Sequence, residues 1–199
     1  MLTVTVVPTS LDLTDLTTAQ RELKLSQADL EGAAALITEA SAIVASWCGR
    51  QHDTGHEFAA QTVEQIEEDA CGDSILLDRD INPAITSVVE DGVTLTPDTD
   101  FRRDGSRLQR RSGGRRTAWC AAEVVITYTT GYTLLAGLPR EIERATKIVL
   151  QQLFASRTRE SQVRSESVDG VVAVTYFGER ESVPQEAQDL LKPFRRVFV

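Results

Sequence analysis

The feature that most constrains this chain is a change of apolar period part-way along it. Leu30, Ala33, Ala34, Ile37, Ala40, Ile43, Val44 and Trp47 recur at spacings of three and four and stop at Cys48-Gly49. Residues so spaced share one face of a 3.6-residue helix, so the stretch reads as a helix opened by Ser26 as N-cap, with Asp29 in the place of a capping-box acid. From Phe58 to Thr130 that period is lost. Short β-like runs, Ile75–Leu77, Ile85–Val89, Val93–Leu95 and Val124–Tyr128, alternate with turn residues, and Asp91-Gly92 between the second and third is a hairpin signal. A chain that changes period in this way is α+β.

Helical spacing flanks the β-like region on both sides. Leu13 to Leu25 carries Leu16, Ala19 and Leu23 on one face; Leu138-Pro139 opens a third helix whose inner residues are Ile142, Ala145, Ile148, Val149 and Leu153, ending near Ser156. Thr158 to Asp169 is polar and reads as a mobile loop, Val171 to Phe177 as a strand, and Pro184 starts a last helix that Pro193 stops. The expected architecture is a mainly helical bundle of two N-terminal helices, a long central helix and a short C-terminal helix, with a β-rich insertion between the second and third. The segments are 1–57, 58–133 and 134–199 of a single domain, 1–199.

Composition narrows the function classes. With 199 residues, 41% of them hydrophobic, the chain can bury a sizeable core. Its start has no basic segment followed by an apolar one, and nowhere do apolar residues run to the roughly 18–20 a bilayer span requires, so no membrane partner and synthesis in the cytosol are expected. The net charge of -9 is unevenly spread. Phe101 to Thr117 holds seven arginines (Arg102, Arg103, Arg107, Arg110, Arg111, Arg115, Arg116) against Asp104 alone, a local balance of +6, which leaves 14 basic and 29 acidic residues, or -15, elsewhere. Such a body repels nucleic acid, whose phosphates need a continuous basic face.

The order of these elements, with Leu16 to Leu25 (Leu-Thr-Thr-Ala-Gln-Arg-Glu-Leu-Lys-Leu), Ser46-Trp47-Cys48-Gly49-Arg50, Ile126 to Tyr132 followed by Leu138-Pro139, and Leu190 to Arg196, resembles the head-tail connector (adaptor, head-completion) proteins of long-tailed bacteriophages. The resemblance spans nearly the whole chain and rests on order and spacing. It implies a structural virion protein made in the host bacterium, without enzymatic activity or cofactor. Subunits would form a ring, dodecameric in this family, below the portal protein, contact tail-side proteins, and line an acidic channel through which double-stranded DNA passes without being gripped.

Two features invite partners. Arg110, Arg111, Arg115 and Arg116 flank the Gly113-Gly114 tip; they either solvate a loop, or pair as guanidinium forks with an acidic surface of the portal, a neighbouring subunit or a tail protein, or touch DNA phosphates. The tail, in which Phe194, Arg195, Arg196 and Phe198 stand out, carries apolar residues that would dock either within the chain or into a partner, and the resemblance favours the portal. The competing classes are a small zinc-dependent enzyme built on Cys48, His52, His56 and Cys71, and a nucleic-acid-binding module using the arginines. Against the first, no paired Cys motif accompanies the histidines; neither a GxSxG elbow nor a GxxxxGK[ST] loop occurs.

Overall fold

The computed structural model describes residues 1–24, 32–157, 165–168, 172–175 and 183–196. They fall into two compact units, one of Met1–Ser10 with His52–Gly137, the other of Leu11–Gln51 with Leu138–Val199.

The first unit is built of sheet. Strands β1 (Leu2–Val6), β2 (Gln51–His52, whose first residue is assigned to the other unit), β3 (Gly55–His56), β4 (Gln61–Gly72), β5 (Ile75–Leu76), β6 (Ala84–Glu90), β7 (Val93–Thr94), β8 (Phe101–Asp104), β9 (Arg107–Ser112), β10 (Arg115–Arg116) and β11 (Trp119–Thr130) follow one another along the chain. The principal sheet has the order β1-β4-β11-β6-β7, antiparallel at every step. Its centre is the pairing of β4 with β11, twelve residues each, from Thr130 opposite Gln61 to Trp119 opposite Gly72. In the second sheet β9 pairs with β5, β8 and β10. Val63, Val88, Leu95, Phe101, Leu108, Trp119, Val124, Ile126 and Tyr128 form the shared core. Burial alternates along β4 and β11 as a one-sided sheet demands, but its phase changes between Gln65 and Ala70 and, opposite, between Ala121 and Val124; Asp69 lies there at φ 49. The expected turn at Asp91-Gly92 joins β6 to β7, with φ 46 and 81 and Glu90 opposite Val93, a mirror-image turn suited to right-twisted strands.

The second unit holds helices α1 (Leu16–Leu23), α2 (Ala33–Trp47), α3 (Arg140–Arg157) and α4 (Gln185–Leu191), a 3-10 turn at Lys192–Phe194, and the antiparallel pair β12 (Ser165–Val168) and β13 (Val172–Thr175). Asp15 caps α1, its carboxylate accepting from the Thr18 amide at 2.7 Å and the Thr18 hydroxyl at 2.8 Å; these bonds hold its pKa below the usual range. α2 ends where the stripe ends. Gly49, at φ 66, lets the chain reverse so that the Gly49 and Arg50 amides reach Ser46 O and Ala45 O. Ala33, Ile37, Ala40 and Val44 of α2, Ile142, Ala145, Val149 and Leu150 of α3, and Ala187 and Leu191 of α4 are buried.

A mainly helical bundle is therefore the wrong description. The described residues are mostly β, with four short helices, and the sheet extends well beyond the apolar runs that announced it. Two strands carry the difference. In Gln61–Gly72 the inward positions include Gln61 and Gln65, both buried, while Glu67, Glu68 and Asp69 read as a solvated charge run, so polar residues on the inner face conceal a twelve-residue strand. β1 was hidden by distance, because Leu-Thr-Val-Thr-Val becomes a strand only by pairing with β4 some sixty residues later. Ser165–Val168, in the stretch expected to be a loop, is a strand. α2 starts at Ala33 with Gly32, at φ 87, as its N-cap, and not at Ser26 as expected; Ser26, Asp29 and Leu30 themselves lie outside the described residues, as does most of that loop.

Candidate partner-binding surface

β8, β9 and β10 explain how seven arginines coexist in so short a span. Alternation turns Phe101 and Leu108 into the core and Arg102 and Arg107 to solvent, and Arg103, Arg115 and Arg116 are exposed as well. The hairpin is held down by backbone bonds, Arg111 N to Asp100 O at 2.7 Å and Gly114 N to Thr99 O at 3.1 Å. Among the four arginines expected at a contact, the surroundings differ sharply. Arg110 is turned inward: its Nε and Nη2 donate to the Glu90 carboxylate at 3.0 and 2.6 Å, and its Nη1 donates to Asp100 O at 2.6 Å and to Arg111 O. Its guanidinium also lies 5.8 Å from the Trp119 ring centre. Arg111, half-buried, reaches Asp98 O at 3.4 Å. Arg116 faces Asp73 across 3.7 Å with both side chains exposed, and Arg115 is exposed with no partner among the described residues. An exposed, loosely paired guanidinium keeps its donors for another molecule; a buried fork has already used them.

In the helical unit the start of the C-terminal tail lies on the end of α2. Arg50 Nε donates to Phe194 O at 2.6 Å, Arg196 N donates to Cys48 O at 2.8 Å, and the Arg195 guanidinium stands 5.3 Å over the Trp47 ring. Phe194 is half-buried. These contacts give the last carbonyls of α2 a donor and a cation, which a helix C-terminus favours. Phe198, with the rest of 197–199, lies outside the described residues. Cys48 is buried beneath, and burial pushes its thiol up to about 11 despite Arg50 and Arg195 nearby.

The supposed zinc set is not assembled. Among the described residues no group of three or more His, Cys, Asp or Glu side chains is placed to hold a metal. Cys71 is exposed on β4. His52 shares a 3.0 Å hydrogen bond between Nδ1 and Thr54 Oγ1, and burial, with the Arg79 charge beside it, brings its pKa down to about 4.

Two arrangements went unread in the sequence. Within the sheet unit, Tyr128 anchors a buried polar network: its hydroxyl accepts from Arg79 N and donates to Gln65 Oε1, each at 3.1 Å, while Gln65 Nε2 donates to Leu76 O at 2.8 Å and Arg79 Nη1 donates to Glu57 at 2.6 Å. Nothing in a one-dimensional pattern joins residues 57, 65, 79 and 128. In the helical unit, Arg21, Glu22, Arg140, Glu143, Arg144 and Lys147 line a cleft of about 750 Å³. Burial alone would lower the Lys147 pKa, but its hydrogen bonds to Glu22 and Glu143 leave it raised. Arg140, Arg144 and Lys147 stand at helical spacings of four and three, a signal the sequence did offer.

No helix among the described residues is long and apolar enough to cross a membrane. Neither a protein-family model nor a curated protein sequence matches the chain. Among solved structures, a chain in the neck of an empty GTA particle, a phage-like gene transfer agent, computed with C6 symmetry, is similar over its length. The similarity covers 100% of this chain and 97% of that one, with a TM-score of 0.56 and 15% identity. At that identity the two share a fold.

Proposed function

We propose that this protein is a structural component of a phage-like particle, a head-tail connector that joins head to tail and catalyses no reaction. The observation that carries the reading is the end-to-end fold similarity to a neck chain, which accounts for both units together. In this reading copies of the chain close into a ring by repeating one head-to-tail interface about an axis, the ring stands below the portal, and the particle is where the protein resides. The acidic remainder of the chain keeps passing DNA from adhering. Arg111, Arg115 and Arg116, with exposed Arg102, Arg103 and Arg107 nearby, supply the cationic contact to an acidic partner surface, and Arg110 holds the hairpin that presents them. The tail from Phe194 onward is the second contact.

The test is to mix purified protein with the portal protein of the same particle and follow mass by light scattering and shape by negative-stain electron microscopy. Rings, alone or stacked on portal, are expected. A protein that stays monomeric with portal present overturns the proposal. Tight, steeply salt-dependent binding to free duplex would instead point to the arginines as a nucleic-acid contact.

A further inference from the structure

Cys71 and Cys120 stand far apart in the chain but directly opposite each other in the register of β4 and β11. Residues facing one another across an antiparallel pair project to the same side of the sheet, with Cα atoms about 4.5–5.5 Å apart in either kind of pair. That interval falls inside the roughly 4.4–6.8 Å over which a disulfide closes without backbone movement. Both thiols are free and both are exposed, while their neighbours Ala70, Trp119 and Ala121 turn into the core. Access is open on both strands. Cys120 borders a cleft of about 560 Å³ with Glu90, Asp91, Val93 and Thr94, and the position of a Cβ on neighbouring Gly72 has nothing within 4 Å.

We propose that Cys71 and Cys120 form a paired thiol site that low-molecular-weight disulfides convert to an intramolecular cross-strand disulfide. The thiolate of one cysteine attacks a sulfur of the small disulfide; that S–S bond breaks, and one small thiol leaves with a proton, giving a mixed disulfide on the protein. The thiolate of the other cysteine then attacks the protein-bound sulfur and displaces the second small thiol. Two electrons pass from the protein to the reagent, two thiol protons end on the two released thiols, and one bond joins the strands. The second step is intramolecular, so the mixed disulfide does not accumulate. Cys48, buried in the helical unit, takes no part.

The experiment uses the full chain, reduced and then treated at mildly alkaline pH with bis(2-hydroxyethyl) disulfide, which is uncharged and so indifferent to Glu90 and Asp91. Thiols are counted under denaturant, and peptides are mapped without reduction. The expected result is a fall from three thiols to one, a Cys71–Cys120 linked peptide, loss of two hydrogens from the intact mass, and no change in oligomeric state. Cys120→Ser and Cys71→Ser are each expected to stop at a stable single adduct on the remaining exposed cysteine. Wild-type protein that stops at mixed-disulfide adducts, keeps all three thiols, or cross-links only between molecules overturns the proposal.

Discussion

Arg110 and Glu90 lock β9 to β6 by a guanidinium–carboxylate fork, and both side chains are only 17% exposed. Glu90 stripped of its partner would keep a partly buried charge, the Trp119 face would lose its cation, and Asp100 O would be left with the Arg111 amide alone. Arg110→Ala is therefore expected to cost about 2 kcal/mol or more in urea denaturation, with Arg110→Lys recovering only part because an ammonium cannot make the fork. Arg115→Ala, exposed and unpartnered among the described residues, should change the unfolding free energy by no more than about 0.5 kcal/mol. Equal effects at the two positions would contradict the division between a structural and an available arginine.

Tyr128 predicts an alkaline limit to stability. Burial is the main cause pushing its hydroxyl up to about 12, above the ordinary 10 of an unfolded chain. The folded state thus holds the proton more tightly, so the stabilisation is complete below about pH 10 and is lost as pH rises from there toward 12. Tyr128→Phe should lower stability at neutral pH by about 1–2 kcal/mol, through the lost bonds to Arg79 N and Gln65, and flatten the loss above pH 10. Chemical denaturation of both proteins across that range would show it.

His52 predicts the opposite edge. Its folded pKa is depressed to about 4 by burial first and the Arg79 charge second, so the neutral ring is favoured on folding. That contribution is present above the unfolded value of about 6.5 and is lost as pH falls toward 4. His52→Gln should remove part of the acid destabilisation between those values; an unchanged slope would assign it to other groups.

Gly131 predicts a steric limit. It sits at φ +96, and a Cβ built there would meet the Ala59 carbonyl oxygen at 2.3 Å, backbone that cannot swing aside. Gly131→Ala should cost more than about 2 kcal/mol, whereas Gly114→Ala, at φ +81 with open space around it, should cost about 1 kcal/mol. Thermal unfolding of the two variants separates conformational strain from collision.

How legible this was in the sequence follows from what each element depends on. α2 and α3 were readable because a helix buries a stripe that recurs within itself, and the Asp91-Gly92 turn because its geometry is local. β1 and β4 were not, since a strand is specified by its partner, and β4 carries glutamines where a core pattern expects apolar residues. The same reason governs the surface. Clustered arginines are visible as composition, but that Arg110 differs from Arg115 depends on Glu90, twenty residues earlier and on another strand. The pairing of Cys71 with Cys120 was equally invisible before the register was known.

The position of β1 also bears on how copies of this chain could become entangled. Met1–Ser10 belongs to the sheet unit, yet 41 residues assigned to the other unit intervene before His52 resumes it. The strand is thus joined to its sheet by hydrogen bonds to β4, not by a short turn. Whenever β1 peels away it bares a row of amides and carbonyls along β4, which the equivalent strand of a second molecule would match in sequence and register. Strand exchange between copies needs no new contact in this fold, only the release of an old one.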